Sequence, residues 1–292
     1  MIIVKLCGGL GNQMFQYALG FNLALLNNTG LKLDTREYKK YRLHSYALDK
    51  FNISAVPATK KEADSIAYKK YGILEKAVLK LMRIEKEKTG AYIKEKSFSF
   101  DQGIMAKYDG NIYLDGYWQS PKYFSDADLY LMKEFTLKEA PDKKNSETLK
   151  KITDCESVSL HIRCGDYVSN SKAKALHGVD LNDYYRRAVD LIIQKTNKAH
   201  FFIFSDDPAW VKANFKYCRE YTVIDINPPE KGYNDIRLIS ACRHNIIANS
   251  SFSWWGAWLN RNENKTVTAP SRWFNDKQID TKDVYCEKWT IL

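Results

Sequence analysis

A chain of 292 residues with 45% hydrophobic and 27% charged side chains has the make-up of an ordinary globular protein of about two domains. Its 14 glycines and 7 prolines exclude collagen-like and low-complexity chains, and no apolar run approaches the ~18 residues of a membrane span. Forty-five Lys and Arg against 35 Asp and Glu give a net charge of +10, which suits an anionic partner without choosing among nucleic acid, an anionic membrane and a phosphorylated ligand. The apolar run at residues 2–6 predicts a buried strand. Cys7-Gly-Gly-Leu-Gly-Asn-Gln13 reads as a glycine-rich turn, residues 14–26 as an apolar helix and residues 31–34 as the next strand. This β–loop–α–β opening is typical of doubly wound α/β proteins. Residues 59–88 form a helical stretch with Ile66, Ile73, Leu74, Val78, Leu81 and Ile84 on one side. A strand at 112–115, the segment Gly116-Tyr-Trp-Gln119 and a helix at 125–135 follow. The polar, proline-containing stretch 140–145 is the candidate linker. Strands at 158–162, 201–204, 222–226, 245–248 and 266–269 then alternate with helices at 182–194, 209–214, 234–242 and 252–259. Such short steps predict a parallel sheet.

The first residues enter a strand directly, without the basic and apolar regions of a signal peptide. The expectation is a cytoplasmic chain. Its six cysteines have no CxxC pair and no zinc-finger spacing, so they are expected to be reduced thiols, with no structural metal.

Three strand ends carry polar residues of phosphate-binding type. Gly8-Gly9-Leu10-Gly11-Asn12-Gln13 lacks the last glycine of a dinucleotide fingerprint and the GK[ST] of a Walker loop. It offers close backbone approach at a helix N-terminus, or simply a tight strand–helix turn. His161-Ile-Arg-Cys-Gly-Asp166 places a histidine and an arginine at a strand end, where open α/β sheets bind ligands. Arg163 is a forked donor for phosphate oxygens, and Asp166 either orients it or acts as a base; a buried ion pair is the plainer account. Ser205-Asp206-Asp207-Pro208 suits helix capping with proline at the first helical position. Adjacent carboxylates point to different sides, which argues against a metal there. Asp126 and Asp128 read as ordinary N-terminal capping. Asn249-Ser250-Ser251 opens a helix and offers hydroxyls and backbone N–H groups to an anion, or a mere cap. The cluster Trp254, Trp255 and Trp258 has core spacing rather than that of a sugar platform.

Residues 60–96 hold eleven basic and six acidic side chains, about half of the whole excess. A basic helix with an apolar face suggests a surface drawn to anionic lipid; the alternative is a solvated helix packed on its own domain.

The stretches Gly8–Ala18, Gly116–Phe124, His161–Tyr167, Ser205–Pro208 and Asn234–Trp258 together resemble glycosyltransferase family 11, specifically its bacterial α-1,2-fucosyltransferases. The family often has a second arginine where Cys164 stands; Arg163 keeps the first. The resemblance implies a GT-B fold, two Rossmann-like α/β domains with parallel sheets facing a cleft. Residues 1–150 would be the acceptor-side domain and residues 151–292 the donor domain. It implies inverting transfer of L-fucose from GDP-β-L-fucose to the 2-hydroxyl of a terminal galactose, with no metal and no cofactor. Arg163 and Asp166 would be catalytic. Asn12, Gln13, His161, Asp206, Asp207, Asp235, Ser250 and Ser251 would bind the donor, with His161 and Asp235 on the guanosine. Asp235 would otherwise be a helix cap. Tyr117, Trp118 and Gln119 would face the acceptor. The partners implied are GDP-fucose and a galactose-terminated glycan, with peripheral contact to the inner face of an anionic membrane as a further expectation. Two rivals stand beside this reading. One is a non-catalytic nucleotide-sugar-binding protein on the same fold. The other is a basic nucleic-acid-binding protein, for which no recognised motif is present.

Overall fold

The computed structural model describes residues 1–40, 43–82, 84–163, 179–196 and 198–292. The chain divides into two compact units, Met1–Thr136 and Leu137–Leu292. The division lies upstream of the expected 150/151 boundary because the helix after the proline segment packs with the second unit.

In the first unit, β1 (Ile2–Lys5), α1 (Leu10–Leu26) and β2 (Leu31–Asp34) form the expected opening. β3 (Val56–Pro57), α2 (Lys60–Ala67), α3 (Ile73–Leu81), β4 (Tyr92–Lys94), β5 (Ile112–Asp115) and α4 (Asp128–Glu134) follow. The sheet order is β3-β2-β1-β5-β4, with every pairing parallel. β1 is central, so its apolar residues are buried on both faces, and α1 packs on one of them so closely that a Cβ at Gly20 would meet Val4 Cγ2 at 2.4 Å.

Two elements depart from expectation. The stretch 59–88 is not one helix. α2 opens with a capping box between Thr59 and Glu62 and closes at Tyr68, which pairs in a β-bridge with Lys88. Gly72 then restarts the chain as the N-cap of α3. The helix expected at 125–135 is a 3₁₀ turn followed by α4. Ala127 holds the N-cap of α4 without a side-chain bond, so Asp128 lies inside the first turn and caps nothing. Burial, with Asp126 nearby, pushes the Asp128 carboxyl up to about 6.

The second unit holds α5 (Lys143–Thr153), β6 (Glu156–Ile162), α6 (Asn182–Lys195), β7 (Ala199–Ser205) and α7 (Pro208–Asn214). Next come β8 (Tyr221–Ile224), α8 (Gly232–Ala241), β9 (His244–Ile246), α9 (Ser251–Leu259), β10 (Val267–Ala269) and β11 (Thr290–Ile291). The order is β11-β10-β9-β6-β7-β8, again with parallel pairings throughout. One face is packed by α6 through Tyr184, Tyr185, Ala188, Val189 and Ile192. The other carries Ile152 of α5 and Leu238 and Ile239 of α8 against Phe202 and Phe204. The tryptophans of α9 are core, as their spacing predicts: Trp254 and Trp255 are fully buried, and Trp254 Nε1 donates to the Val284 carbonyl at 2.7 Å.

Candidate active site

The second sheet reverses its winding once, and in the first the chain crosses from β3 to the far edge strand β4 and steps back to β5 beside β1; such switch points are where doubly wound sheets bind ligands. In the second unit the chain runs outward from β6 to β7 and β8, then returns to place β9 on the other side of β6. The ends of β6 and β9 are therefore neighbours. This brings together Arg163 and Ser250, 87 positions apart in sequence: Arg163 Nη1 donates to Ser250 Oγ over a long 3.4 Å. Ser250 is the N-cap residue of α9, yet its side chain makes no capping bond. The hydroxyl faces the guanidinium instead, which answers the simple-cap account of this serine. Ser251 begins the helix, whose first-turn N–H groups point toward the same end.

His161 lies beneath this pair. Its Nδ1 shares a hydrogen bond with Ser253 Oγ at 3.1 Å, and its ring packs on Phe252. The Tyr185 hydroxyl donates to its carbonyl at 3.0 Å. Burial, and then the positive Arg163, hold its pKa down to about 3, so the imidazole is neutral at pH 7. Asp166 lies outside the described residues, as does Cys164.

Asp207 behaves as the capping account predicts. Its carboxylate accepts from Trp210 N at 2.9 Å at the start of α7, with Pro208 at the first position, and its own N–H donates to Ser205 Oγ. Asp206 is exposed. Among the described residues no group of three or more His, Cys, Asp or Glu is arranged to hold a metal ion.

Asp235 is not a cap. Lys231 holds the N-cap of α8, and Asp235 sits inside the first turn. Its carboxylate accepts from Asn227 Nδ2 at 2.7 Å. Asn227 and Asn145 exchange amide hydrogen bonds at 2.9 and 3.0 Å, tying the loop after β8 to α5. Burial pushes the Asp235 carboxyl up to about 7, against the opposing effect of Asn227. Asn227 and Asn145 were invisible to sequence reasoning, because nothing local marks an amide whose partner is 82 residues away.

In the first unit the switch point lies between β1 and β5. The glycine turn is shorter than expected: α1 already begins at Leu10, capped by Gly9, so Gly11, Asn12 and Gln13 belong to the helix. Gly8 has φ +76, and a Cβ there would meet Asn12 Nδ2 at 2.5 Å. Gln13 is fully buried, donates to the Gly8 and Ser45 carbonyls and accepts from Ala47 N. It shapes the loop from below. Gln16, which sequence reasoning missed, does the same across the switch, donating to the Gly116 carbonyl at 3.0 Å while Cys7 N donates to it. Asn12 accepts from Gln119 Nε2 at 2.8 Å, so two residues expected on different substrates are hydrogen-bonded to each other.

The Gly116–Gln119 segment is a strained turn. Trp118 is buried with φ +57, a left-handed conformation that a bulky residue rarely adopts. Tyr117 beside it is exposed. The turn is gripped by Glu95, whose carboxylate accepts from Tyr117 N at 2.6 Å and Trp118 N at 2.9 Å. Burial raises the Glu95 carboxyl above the usual range. A Cβ at Gly116 would meet Glu95 Cβ at 2.4 Å, so the grip requires glycine.

These parts sit on a sequence that the model of glycosyl transferase family 11 matches over residues 1–292. The chain belongs to that family. It is 35% identical to an α-1,2-colitosyltransferase of Escherichia coli over 304 residues, covering 100% of this chain and 99% of that protein. It is 32% identical to the O-antigen biosynthesis glycosyltransferase WbnK of Escherichia coli, covering 95% and 97%. It is 25% identical to the galactoside 2-α-L-fucosyltransferase Sec1 of Mus musculus, covering 89% of this chain and 64% of that protein. The protein is thus a fucosyltransferase-like glycosyltransferase of family 11, built from two parallel-sheet, Rossmann-like units, the make-up of the GT-B class. Among its described residues, no helix is long and apolar enough to cross a membrane.

Proposed function

We propose that this family 11 glycosyltransferase moves L-fucose from GDP-β-L-fucose to the 2-hydroxyl of a terminal galactose, inverting the anomeric centre without a metal. The observation that carries the reading is the Arg163–Ser250 pair at the β6/β9 switch point. The acceptor O2 attacks fucose C1 as the C1–O bond to phosphate breaks. The bonding pair leaves with GDP, and the acceptor proton passes to a base. Negative charge grows on the departing diphosphate, and preorganised donors aimed there lower the barrier. Arg163 supplies a planar fork, and Ser250 and the α9 N-terminus supply a hydroxyl and amides. His161, held neutral, adds no competing charge and can donate or accept on the donor side. Asp235 accepts from N1–H and N2–H of guanine. Tyr117 presents an aromatic face to the acceptor, from a turn fixed by Glu95 and Gln119.

The names of relatives from two kingdoms support transfer to a 2-hydroxyl. They differ on the sugar, and the match to a colitosyltransferase over its whole length favours a second reading, with GDP-colitose as donor. Colitose is L-fucose without its 3-hydroxyl, so one assay separates the two. Purified protein is offered GDP-fucose and GDP-colitose in turn with a panel of galactosides, and the product linkage is read by NMR. Transfer of fucose in an α-1,2 linkage supports the first reading; transfer only from GDP-colitose replaces it with the second. Binding of GDP-fucose with no product from any acceptor would favour a non-catalytic binding protein. A cytoplasmic location goes with this reading. Peripheral contact with a membrane is a separate proposal and rests on a different surface.

A further inference from the structure

The segment 69–88 carries a surface that the transfer reaction does not use. α3 is a nine-residue helix whose Leu74, Val78 and Leu81 are spaced to share one face. That face is bare. Ile73, Leu74 and Leu81 are 87%, 82% and 85% exposed, and Val78, Met82 and Ile84 are exposed beside them. A solvated helix packed on its own domain would bury this stripe, and this one does not. Six large apolar side chains in one short stretch exceed the scattered exposure normal for a surface.

Charge decides what can cover it. Residues 69–88 hold seven basic and three acidic side chains. Two of the three acids serve the segment itself: Glu75 accepts from Gly72 N at 2.7 Å at the N-cap, and Glu87 pairs with Lys69 at 2.5 Å. Lys70, Lys80 and Lys88 are exposed in the same segment. Exposed apolar side chains in a segment rich in exposed lysine match an anionic lipid surface, where the former enter the acyl boundary and the latter meet the headgroups.

We infer that α3 and its lysine flanks form a membrane-docking surface that binds anionic bilayers by combined apolar insertion and charge. The inference does not depend on the identity of donor or acceptor.

The test uses the full chain with no nucleotide or glycan present. Cosedimentation is measured with phosphatidylcholine vesicles and with vesicles of phosphatidylcholine and phosphatidylglycerol at 7:3, at low and high salt; that ratio sets roughly a third of the headgroups anionic. The chain should pellet with the mixed vesicles at low salt and not with phosphatidylcholine alone. Binding should fall about tenfold or more at high salt as the Debye length shrinks. Leu74→Asp with Leu81→Asp should abolish binding, and Lys70→Glu with Lys80→Glu should abolish its salt-sensitive part. All four positions are exposed, so unchanged circular dichroism and melting are expected, and these are recorded for each variant. No pelleting of wild type at low salt overturns the proposal. So does equal binding by the Leu74→Asp/Leu81→Asp variant. A dimer in velocity sedimentation that this variant dissolves would assign the stripe to a second copy and overturn it as well. None of these failures touches the transferase reading, which is scored by product formation.

Discussion

Asp235 is held in a state that suits a ligand better than the empty protein. A carboxyl pushed up to about 7 by burial, against 3.8 for an unperturbed one, is half protonated at neutral pH. Guanine offers two parallel N–H donors, which favour the ionised form. Binding should therefore release a proton. GDP affinity should rise as pH climbs from 6 toward 8, by up to about tenfold per unit while the group remains protonated. Calorimetry in buffers of different ionisation enthalpy reads the proton directly, and a pH-independent affinity with no proton release would remove Asp235 from the base-binding role. Asp235→Ala should weaken GDP by roughly ten- to a hundredfold and leave UDP little changed, since uracil lacks that donor edge. The same shift has a stability side. The folded state holds the proton more tightly than the unfolded chain, so the contribution is whole below about 3.8 and is lost as pH rises to about 7. Asp235→Asn should raise the melting temperature at pH 8 and bring a smaller gain at pH 5. Arg163 makes the complementary prediction. Arg163→Ala should lower kcat by roughly 10²–10³-fold with the fold intact, and Arg163→Lys should not rescue, because a point charge does not replace a fork. A near-normal rate in either variant would leave Arg163 as a structural partner of Ser250.

At the scale of elements, the β5 turn tests whether strain serves the acceptor. Left-handed Trp118 is sparsely populated backbone of order 1–3 kcal/mol, and Glu95 offsets it by accepting two successive N–H groups. Glu95→Gln keeps the size but turns an amide NH2, itself a donor, toward one of those N–H groups. Losing one such bond corresponds to ~1–3 kcal/mol. The acceptor KM should rise about tenfold while the KM for GDP-sugar stays put. A lower melting temperature with both KM values unchanged would make Glu95 merely structural. This grip also marks the limit of sequence reasoning. The aromatic segment 117–119 was legible by its composition. Glu95 was not, because a lone glutamate after a three-residue strand carries no local sign of partners 22 and 23 residues on. β3, β4 and β11 were missed for a related reason: strands of two or three residues are too short to show a period. The long helix expected at 59–88 failed where periodicity continued through a break. Apolar residues recur at helical spacing on both sides of Gly72, and only the bridge between Tyr68 and Lys88 shows that the chain turns there.

The whole molecule was more legible than its parts. Short alternating strands and helices fixed two parallel sheets, since parallel pairing requires a crossover at every step. Each sheet then has a switch point, and the residues singled out by chemistry, Asn12 and Tyr117 in one unit and Arg163 and Ser250 in the other, fall at them. Net charge bears on catalysis at the same scale. A protein of charge +10 attracts a diphosphate donor over a distance, so kcat/KM for the donor should fall as salt rises. Metal removal separates this protein-borne charge from a bound cation. If Arg163, Ser250 and the α9 amides neutralise the leaving diphosphate, EDTA should leave the rate unchanged at fixed ionic strength. The pair with the best claim to a cation, Asp206 and Asp207, is divided: Asp207 is spent on the α7 cap, and Asp206 stands exposed. Freeing Asp207 for a metal would break that cap, at ~1 kcal/mol. The rate is measured before and after chelation, with sodium chloride added so that EDTA's own charge does not mimic the salt effect. Complete loss restored by Mn²⁺ or Mg²⁺ would return the two aspartates to the reaction as ligands and reduce Arg163 to a helper.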